Sequence, residues 1–465
     1  MTYTRLSGFV HRPVLASWWR VACLLSALCL LLAALPTSAR AAPLELRDDL
    51  LSIEAWPAVT VLPDPSGTLL VNDVLAELSR FQAPPGTSGT LGVRAEPVWV
   101  RIPVTVPVAS NGLWVLDIDY PVLQRIEVYL AADGHVTQQA TLGSLQPYTQ
   151  RPLRSRTHAL PLTMLPGHAY ELLLRVETRG AMVLPITLNK PTTWHSKALN
   201  EQMLQGILTG LALCLLIYSL AQWLNLRDVL FIQYALLIAG SLLFSLHLFG
   251  LGTQYLWRDM PWVELHAASL AALTATCGSF LFISKALAGD RPRSWLLRSM
   301  RGGAVLCVVL AALYALDLLS TRAVTGIVSI LGLVPALMGI PGAVRRARLG
   351  DPVGSTLLLA WLLYFLATAT VIGVIQGWVP VNFWTLHSFQ FGATLDMLLF
   401  MRVLGLRTKA LRLEALDANR ERDVMRSLAH TDPLTGLPNR RGLNISLASA
   451  LSRCSAEKML AVYVM

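Results

Sequence analysis

Seven apolar segments, each close to the roughly twenty residues that an α-helix needs to cross a bilayer, fill the second half of the sequence. Such segments must form helices in a membrane, because hydrocarbon offers no partner for unpaired backbone groups. The composition agrees, since 54% of the residues are hydrophobic and only 14% are charged. The predicted spans are residues 203–224, 229–249, 262–283, 302–321, 323–343, 354–377 and 383–404.

Basic residues crowd into every second connection between these spans. Only Arg258 and Arg322 fall on the other side. Because cytoplasmic loops carry the excess of Lys and Arg, we expect a cytoplasmic C-terminus and an N-terminal region on the periplasmic side of a bacterial inner membrane. The net charge of +10 then reflects topology, so the sequence predicts a lipid bilayer as a partner and no nucleic acid. The crowded residues are Arg227, Lys285, Arg291, Arg293, Arg298, Arg301, Arg345, Arg346, Arg348, Arg402, Arg407, Lys409 and Arg412.

Residues 1–41 have the pattern of a secretory signal peptide. Basic residues precede an uncharged run over residues 21–38, and Ala39-Arg40-Ala41 provides a small-x-small cleavage site. The alternative is an uncleaved anchor helix, which Pro36 disfavours. We therefore expect residues 42–195 to form the exported domain.

Hydrophobic residues alternate with polar ones through this exported region. From Val98 to Val106, for example, every second residue is Val or Ile, which is typical of a half-buried strand. Repetition of this pattern predicts an all-β sandwich, jelly-roll-like in its topology. Its aromatic side chains could stack on a ligand or fill the core.

Ionisable residues inside the predicted spans suggest a pocket in the outer half of the bundle. Intramembrane charge usually faces a bundle interior or a water-filled cavity. The alternative is solvation at the interface, because most of these residues lie near helix ends. The candidate ligand pocket consists of Trp99, Trp114, Tyr129, Glu264, His266 and His387. The sequence shows no catalytic constellation and no metal-ligand spacing, so we predict neither catalytic residues nor a metal site.

Residues 405–429 are predicted to form a helical linker. Small and apolar residues recur at alternating steps of three and four, which is compatible with a homodimeric coiled coil. A solvated single helix is the alternative, because Arg422 interrupts the repeat. The seam residues are Leu411, Ala415, Ala418, Met425 and Ala429.

Residues 430–465 begin with a dense run of turn residues, HTDPLTGLPNRR. Asn439 can cap a helix that starts at Arg440, and the apolar run MLAVYVM predicts a buried strand. The run TDPLTGLPNRR resembles the opening signature of GGDEF diguanylate cyclase domains. The matching residues are Asp432, Leu434, Thr435, Gly436, Leu437, Asn439 and Arg440.

That resemblance covers only 36 residues, and the positions that bind metal and guanine in the family would come after Met465. A complete domain would join two GTP molecules into cyclic di-GMP with Mg²⁺. For the chain as it stands, we expect no bound cofactor and no cyclase activity.

Residues 201–404 and the segments PVWVRIPV, QRIEVYLAADG and LLLRVETRGAMVLPITL resemble a second class. This class is the bacterial seven-transmembrane receptors with diverse intracellular signalling modules, with a type 2 extracellular domain. The resemblance implies a small periplasmic ligand, for which carbohydrate is one candidate, coupled to a diguanylate cyclase output. The alternatives are a non-enzymatic receptor that acts by dimerisation or titration, and a transporter, for which the break at residues 339–342 would be one sign.

Overall fold

The structure, a computed structural model, describes residues 42–85, 89–287, 294–432 and 435–453. Residues up to Phe400 form one compact unit and those from Met401 form a second. The predicted signal peptide, Leu434 and the predicted strand over residues 459–465 lie outside the described residues.

The first part of the chain forms a β domain with two main sheets. One sheet has the order β1-β5-β10-β7-β8 with β3 also on β5, the other has the order β2-β12-β6-β9, and β4 and β11 form a small pair. The predicted all-β sandwich is therefore confirmed. The strands are β1 Leu44–Glu45, β2 Ser52–Glu54, β3 Thr60–Pro63, β4 Thr90–Val93, β5 Val98–Thr105, β6 Leu113–Ile118, β7 Arg125–Ala132, β8 His135–Leu142, β9 His158–Thr163, β10 Ala169–Glu177, β11 Ala181–Val183 and β12 Ile186–Asn189.

The alternation in the sequence decides which face of each strand is buried. In β5, Val98, Val100 and Ile102 point into the core, and each is at most 1% exposed. The turn between β7 and β8 lies at Asp133 and Gly134, with φ angles of 50° and 77°. Two positive φ angles are the signature of a tight hairpin turn, as the Asp-Gly pair predicts.

The helices of the β domain and the bundle follow in chain order. Seven stretches are long and apolar enough to cross a membrane, counting α6 and α7 together, which confirms the seven predicted spans among the described residues. The helices are α1 Val71–Ala76, α2 Pro191–Leu226, α3 Val229–Leu248, α4 Pro261–Ala286, α5 Ser294–Ala315, α6 Thr321–Leu331, α7 Val334–Arg348, α8 Pro352–Ile375, α9 Phe383–His430 and α10 Arg440–Leu451.

Glycines bring α3 and α4 into close contact. A Cβ on Gly240 would lie 2.3 Å from the backbone nitrogen of Ala275, and one on Gly278 would lie 2.5 Å from that of Leu237. Helices in lipid associate mainly through such close backbone approach, because hydrocarbon provides no hydrophobic driving force between them.

The bounds of several predicted spans differ from the structure. Helix α2 begins at Pro191, before the predicted start at residue 203, and α9 continues beyond residue 404 to His430. The span predicted at residues 323–343 is divided into α6 and α7, because Pro335 lacks an N–H and starts a new helix in its first turn. The span predicted at residues 302–321 is α5, which begins at Ser294 and ends at Ala315. Its end is set by Asp317, whose φ of 56° is incompatible with a continuing helix.

The second unit contains the last part of α9, a turn and α10. Thr435 donates its backbone N–H to Oδ1 of Asp432 at 3.0 Å, and Gly436 has a φ of 67°. Asn439 Oδ1 accepts hydrogen bonds from the backbone of Arg441 and Gly442, both at 3.0 Å. The predicted Asn439 cap and the helix start at Arg440 are therefore confirmed.

Candidate functional site

A cavity of about 780 Å³ lies where the β domain meets the first turns of α2 and α9. Its volume falls within the range of pockets that bind small molecules. The β domain contributes residues of β6, β12 and the connection between β8 and β9, and the bundle contributes α2, α9 and the segment after α3. Both domains therefore form its walls.

The connection after α3 lies directly against the β domain at this cavity. Gly250 has a φ of 75°, and a Cβ there would lie 2.6 Å from the carbonyl oxygen of Arg156 and 2.8 Å from Cβ of Pro121. Only glycine fits both the left-handed backbone and this spacing. This approach fixes the position of the Arg156 backbone beside the bundle.

Arg156 joins the two domains electrostatically. Its guanidinium pairs with both carboxylate oxygens of Asp119 in the β domain, at 2.9 and 3.0 Å, and lies 3.5 Å from Oε1 of Glu201 on α2. Burial opposes the charge of Arg156, but Asp119 and Glu201 more than offset it and hold the pKa of Arg156 above its ordinary value. The buried cation is thus satisfied by one acid from each domain.

The same carboxylate of Glu201 continues the network to α9. Nε2 of His387 lies 2.7 Å from Oε1 of Glu201, while Nδ1 of His387 donates to the carbonyl oxygen of Phe383 at 2.8 Å. A carbonyl oxygen only accepts, so Nδ1 is the donor in the contact with Phe383, and Nε2 faces Glu201. His387 is therefore fixed at both ring nitrogens, by its own helix on one side and by α2 on the other.

Aromatic rings cover this histidine on both sides. The ring centroids of Phe249 and Phe383 lie 4.9 and 4.4 Å from that of His387, with interplanar angles of 26° and 31°. These rings enclose the imidazole of His387, whose side chain is only 3% exposed.

A second contact between α2 and α9 lies one turn further along. Gln205 and Gln390 exchange side-chain hydrogen bonds at 3.0 and 2.7 Å, and Gln205 also donates to Glu201 at 3.0 Å. Both amides are buried. The two helices are thus joined by a charged contact at the cavity and a neutral one beyond it.

Asp117 adds a further acid to the cavity wall. Thr157 donates its hydroxyl to Oδ1 of Asp117 at 2.6 Å. Burial, and then the nearby carboxylate of Asp119, raise the pKa of Asp117 above its ordinary value. This carboxyl group can consequently exchange a proton closer to neutral pH than an exposed aspartate can.

The structure brings one of the six predicted pocket residues, His387, to this cavity. Trp99 is 1% exposed and stacks on Tyr129 at 5.8 Å under α1. Trp114 is equally buried in the main core, with Nζ of Lys190 4.2 Å from its ring. Trp99 and Trp114 are thus core side chains, packed against α1 and between the strands of the main core, and Tyr129 is partly buried against Trp99.

The two remaining predicted residues belong to separate clusters within the bundle. Glu264 accepts hydrogen bonds from Thr253 at 2.7 Å and from the indole of Trp257 at 2.9 Å. His266 lies between Trp262 and Tyr314, with Nε2 3.0 Å from Oδ1 of Asp317. The two clusters do not share a residue with the cavity wall.

Arg156, Asp119, Glu201 and Gln205 were missed by the sequence reasoning. Arg156 lies in an ordinary polar loop, and Glu201 lies at the boundary where the exported domain was expected to give way to the bundle. One signal was available. Glu201 and Gln205 are four residues apart and so lie on one face of a helix whose later residues are mostly apolar. Within the described residues, no group of three or more His, Cys, Asp or Glu could hold a metal ion.

Comparisons with known proteins assign two regions. A family model described as 7TM diverse intracellular signalling matches residues 201–407, and one described as 7TMR-DISM extracellular 2 matches residues 57–190. Neither match extends beyond residue 407, so the resemblance of residues 430–465 to a GGDEF domain stays a prediction. A search of curated proteins finds no match.

Proposed function

We propose, on the premise that this chain carries the extracellular 2 and 7TM domains of the 7TM receptors with diverse intracellular signalling, that its cavity binds a small ligand and reports it to α9. These two domains indicate a transmembrane signalling receptor. Because residues of both the β domain and the bundle line the cavity, one bound ligand would contact both domains.

One observation carries the proposal. The contacts from Asp119 to Arg156, from Arg156 to Glu201 and from Glu201 to His387 form an unbroken route from the β domain to α9. A ligand that alters any of these contacts changes the relative free energies of two arrangements of α2 and α9, which is what coupling between sites requires.

The signal leaves the bundle through the last part of α9 and the residues that follow it. Helix α9 is 48 residues long and ends at His430, next to the turn that resembles the start of a GGDEF domain. We propose that the receptor controls a diguanylate cyclase, through linker helices that pair as a homodimer. Exposed apolar residues on the linker, such as Leu411 and Met425, support such pairing.

The proposal places the β domain in the periplasm and the linker in the cytoplasm. Alkaline phosphatase fused after residue 190 is expected to be active, and the same enzyme fused after residue 410 inactive, because phosphatase folds only after export. The basic connections motivate this orientation. The reverse pattern of activities would contradict it.

A receptor chimera tests the coupling itself. We join a complete diguanylate cyclase domain after His430 and measure cyclic di-GMP in cells. The substitution Glu201→Gln removes the charge but keeps the shape, and we expect it to change the basal output about fivefold or more, the low end of measured coupling energies.

The matched control lies on an outer face of the sandwich. Arg101 and Glu171 form a two-point pair at 2.7 Å for each contact, and neither residue lines the cavity. Glu171→Gln removes the same charge from a pair that lies outside the proposed route, and should leave the output unchanged. Equal effects of Glu171→Gln and Glu201→Gln would contradict the proposed route.

A further inference from the structure

We infer that the ligand of this cavity is a small soluble organic acid, with an anionic group held by Arg154 and Lys197 and an apolar body in the cavity. This inference rests on the proposed function, since it names the ligand class for the same site. Some charged side chains of the cavity wall are already paired within the protein, and others are not.

Three acids of the wall have partners within the protein. Asp119 is paired with Arg156, Glu201 with His387, and Asp117 accepts the hydroxyl of Thr157. A cationic ligand would have to compete with these contacts for each of the three carboxylates. The Glu201 side chain is 12% exposed and that of Asp119 is 37% exposed. Breaking a buried pair by removing one partner is strongly unfavourable.

Two bases of the wall have no carboxylate partner among the residues that the structure describes. Lys197 donates only to neutral acceptors, Oγ of Ser52 at 2.7 Å and Oδ1 of Asn189 at 2.8 Å. An ammonium group has three N–H donors, so one remains for a ligand. Arg154 is exposed and lines the cavity, and its guanidinium has no hydrogen-bond partner among the described residues. Arginine and lysine are the side chains that bind carboxylate groups best.

Glu54 is the opposing charge at the same wall. Its carboxylate is exposed and unpaired among the described residues, so it weakens the binding of an anionic ligand but does not prevent it. The remaining wall is largely apolar, with Trp56, Trp194, Tyr255 and Phe383 as its bulkiest members. An inorganic anion would leave this surface wet, whereas an organic acid covers it.

An anionic group with an apolar body could also belong to a lipid. The wall favours a soluble molecule, because Asp117, Ser155 and Ile186 of the β domain line it together with the helix ends. A lipid would have to leave the bilayer to reach these residues. Nanodiscs of different lipid composition distinguish the two sources.

The probes are alkyl and phenyl carboxylates of about four to eight carbons, a size suited to such a cavity, with the alcohols and amines of the same skeletons. The full chain is placed in zwitterionic nanodiscs, and binding is measured by calorimetry. We expect at least one carboxylate to bind about tenfold or more tightly than its alcohol, which corresponds to about 1.4 kcal/mol. The double variant Arg154→Gln, Lys197→Gln should remove this difference.

Two further variants test whether carboxylate binding depends on the charges at the cavity wall. Glu54→Gln should tighten carboxylate binding, because it removes the opposing charge. Arg47→Gln with Arg80→Gln also removes two positive charges, from exposed pairs with Asp49 and Glu77, and should leave binding unchanged. Both double variants alter exposed side chains, and unchanged thermal midpoints without probe will show that they fold.

The inference is overturned if no carboxylate binds, if alcohols or amines bind as tightly, or if only discs with anionic lipid give an effect that depends on Arg154 and Lys197. Any of these results, with Glu201→Gln still changing the output of the chimera, would leave the proposed function standing. Carboxylate binding without an effect of Glu201→Gln would instead support the ligand class and contradict the proposed route.

Discussion

Replacing Glu201 with alanine is expected to destabilise the junction between the β domain and the bundle by about 3–5 kcal/mol. The substitution leaves the guanidinium of Arg156 and the ring of His387 in a buried site without their shared carboxylate. The side chains of these two residues are only 6% and 3% exposed, so most of their surface cannot be hydrated in place of the lost carboxylate. Gln205 also loses an acceptor.

The measurement is the thermal midpoint of the full chain in detergent micelles, compared with Gln205→Ala. That substitution cuts the neutral contact with Gln390 between the same two helices, and should cost about 1–3 kcal/mol. The double variant Glu201→Gln, His387→Gln should recover most of the loss, because two amides can bond as Gln205 and Gln390 do. A smaller loss for Glu201→Ala than for Gln205→Ala would contradict the charged network.

The fold could be predicted because it depends on local periodicity. Alternation in β5 identifies its buried face, and runs of apolar residues identify helices such as α3 whatever their neighbours are. The end of α5 and the break before α7 were harder to predict. Both depend on how a single residue, Asp317 or Pro335, affects the backbone within an apolar sequence.

The cavity could not be predicted in the same way because its contacts are not local. Glu201 and His387 are 186 residues apart in the sequence, and Arg156 and Asp119 are 37 apart. No spacing rule connects such positions. His387 was identified because an ionisable residue in an apolar segment is unusual, whereas Arg156 and Glu201 lie in polar segments where charge is ordinary.

Aromatic residues in the β domain show a second limit of sequence reasoning. A tryptophan in a strand is equally suited to stack on a ligand or to fill a core, and the alternation pattern does not distinguish the two roles. Trp114 is 1% exposed and belongs to the main core, whereas Trp56 is partly exposed and lines the cavity. This pair therefore separates the two roles experimentally.

Replacing Trp114 with alanine is expected to destabilise the β domain by about 3–5 kcal/mol, because it leaves a large hole between packed strands. The loss also removes the cation–π contact with Lys190, whose ammonium lies 4.2 Å from the ring and pairs with Asp48 at the junction with α2.

The matched variant, Trp56→Ala, should destabilise the β domain less, because the Trp56 side chain is already partly in water, but should weaken carboxylate binding. Pulse proteolysis of the full chain in urea measures the stability of the β domain in both variants. Equal losses of stability in the two variants, or intact stability with weaker binding in Trp114→Ala, would show that Trp114 acts at a ligand site rather than in the core.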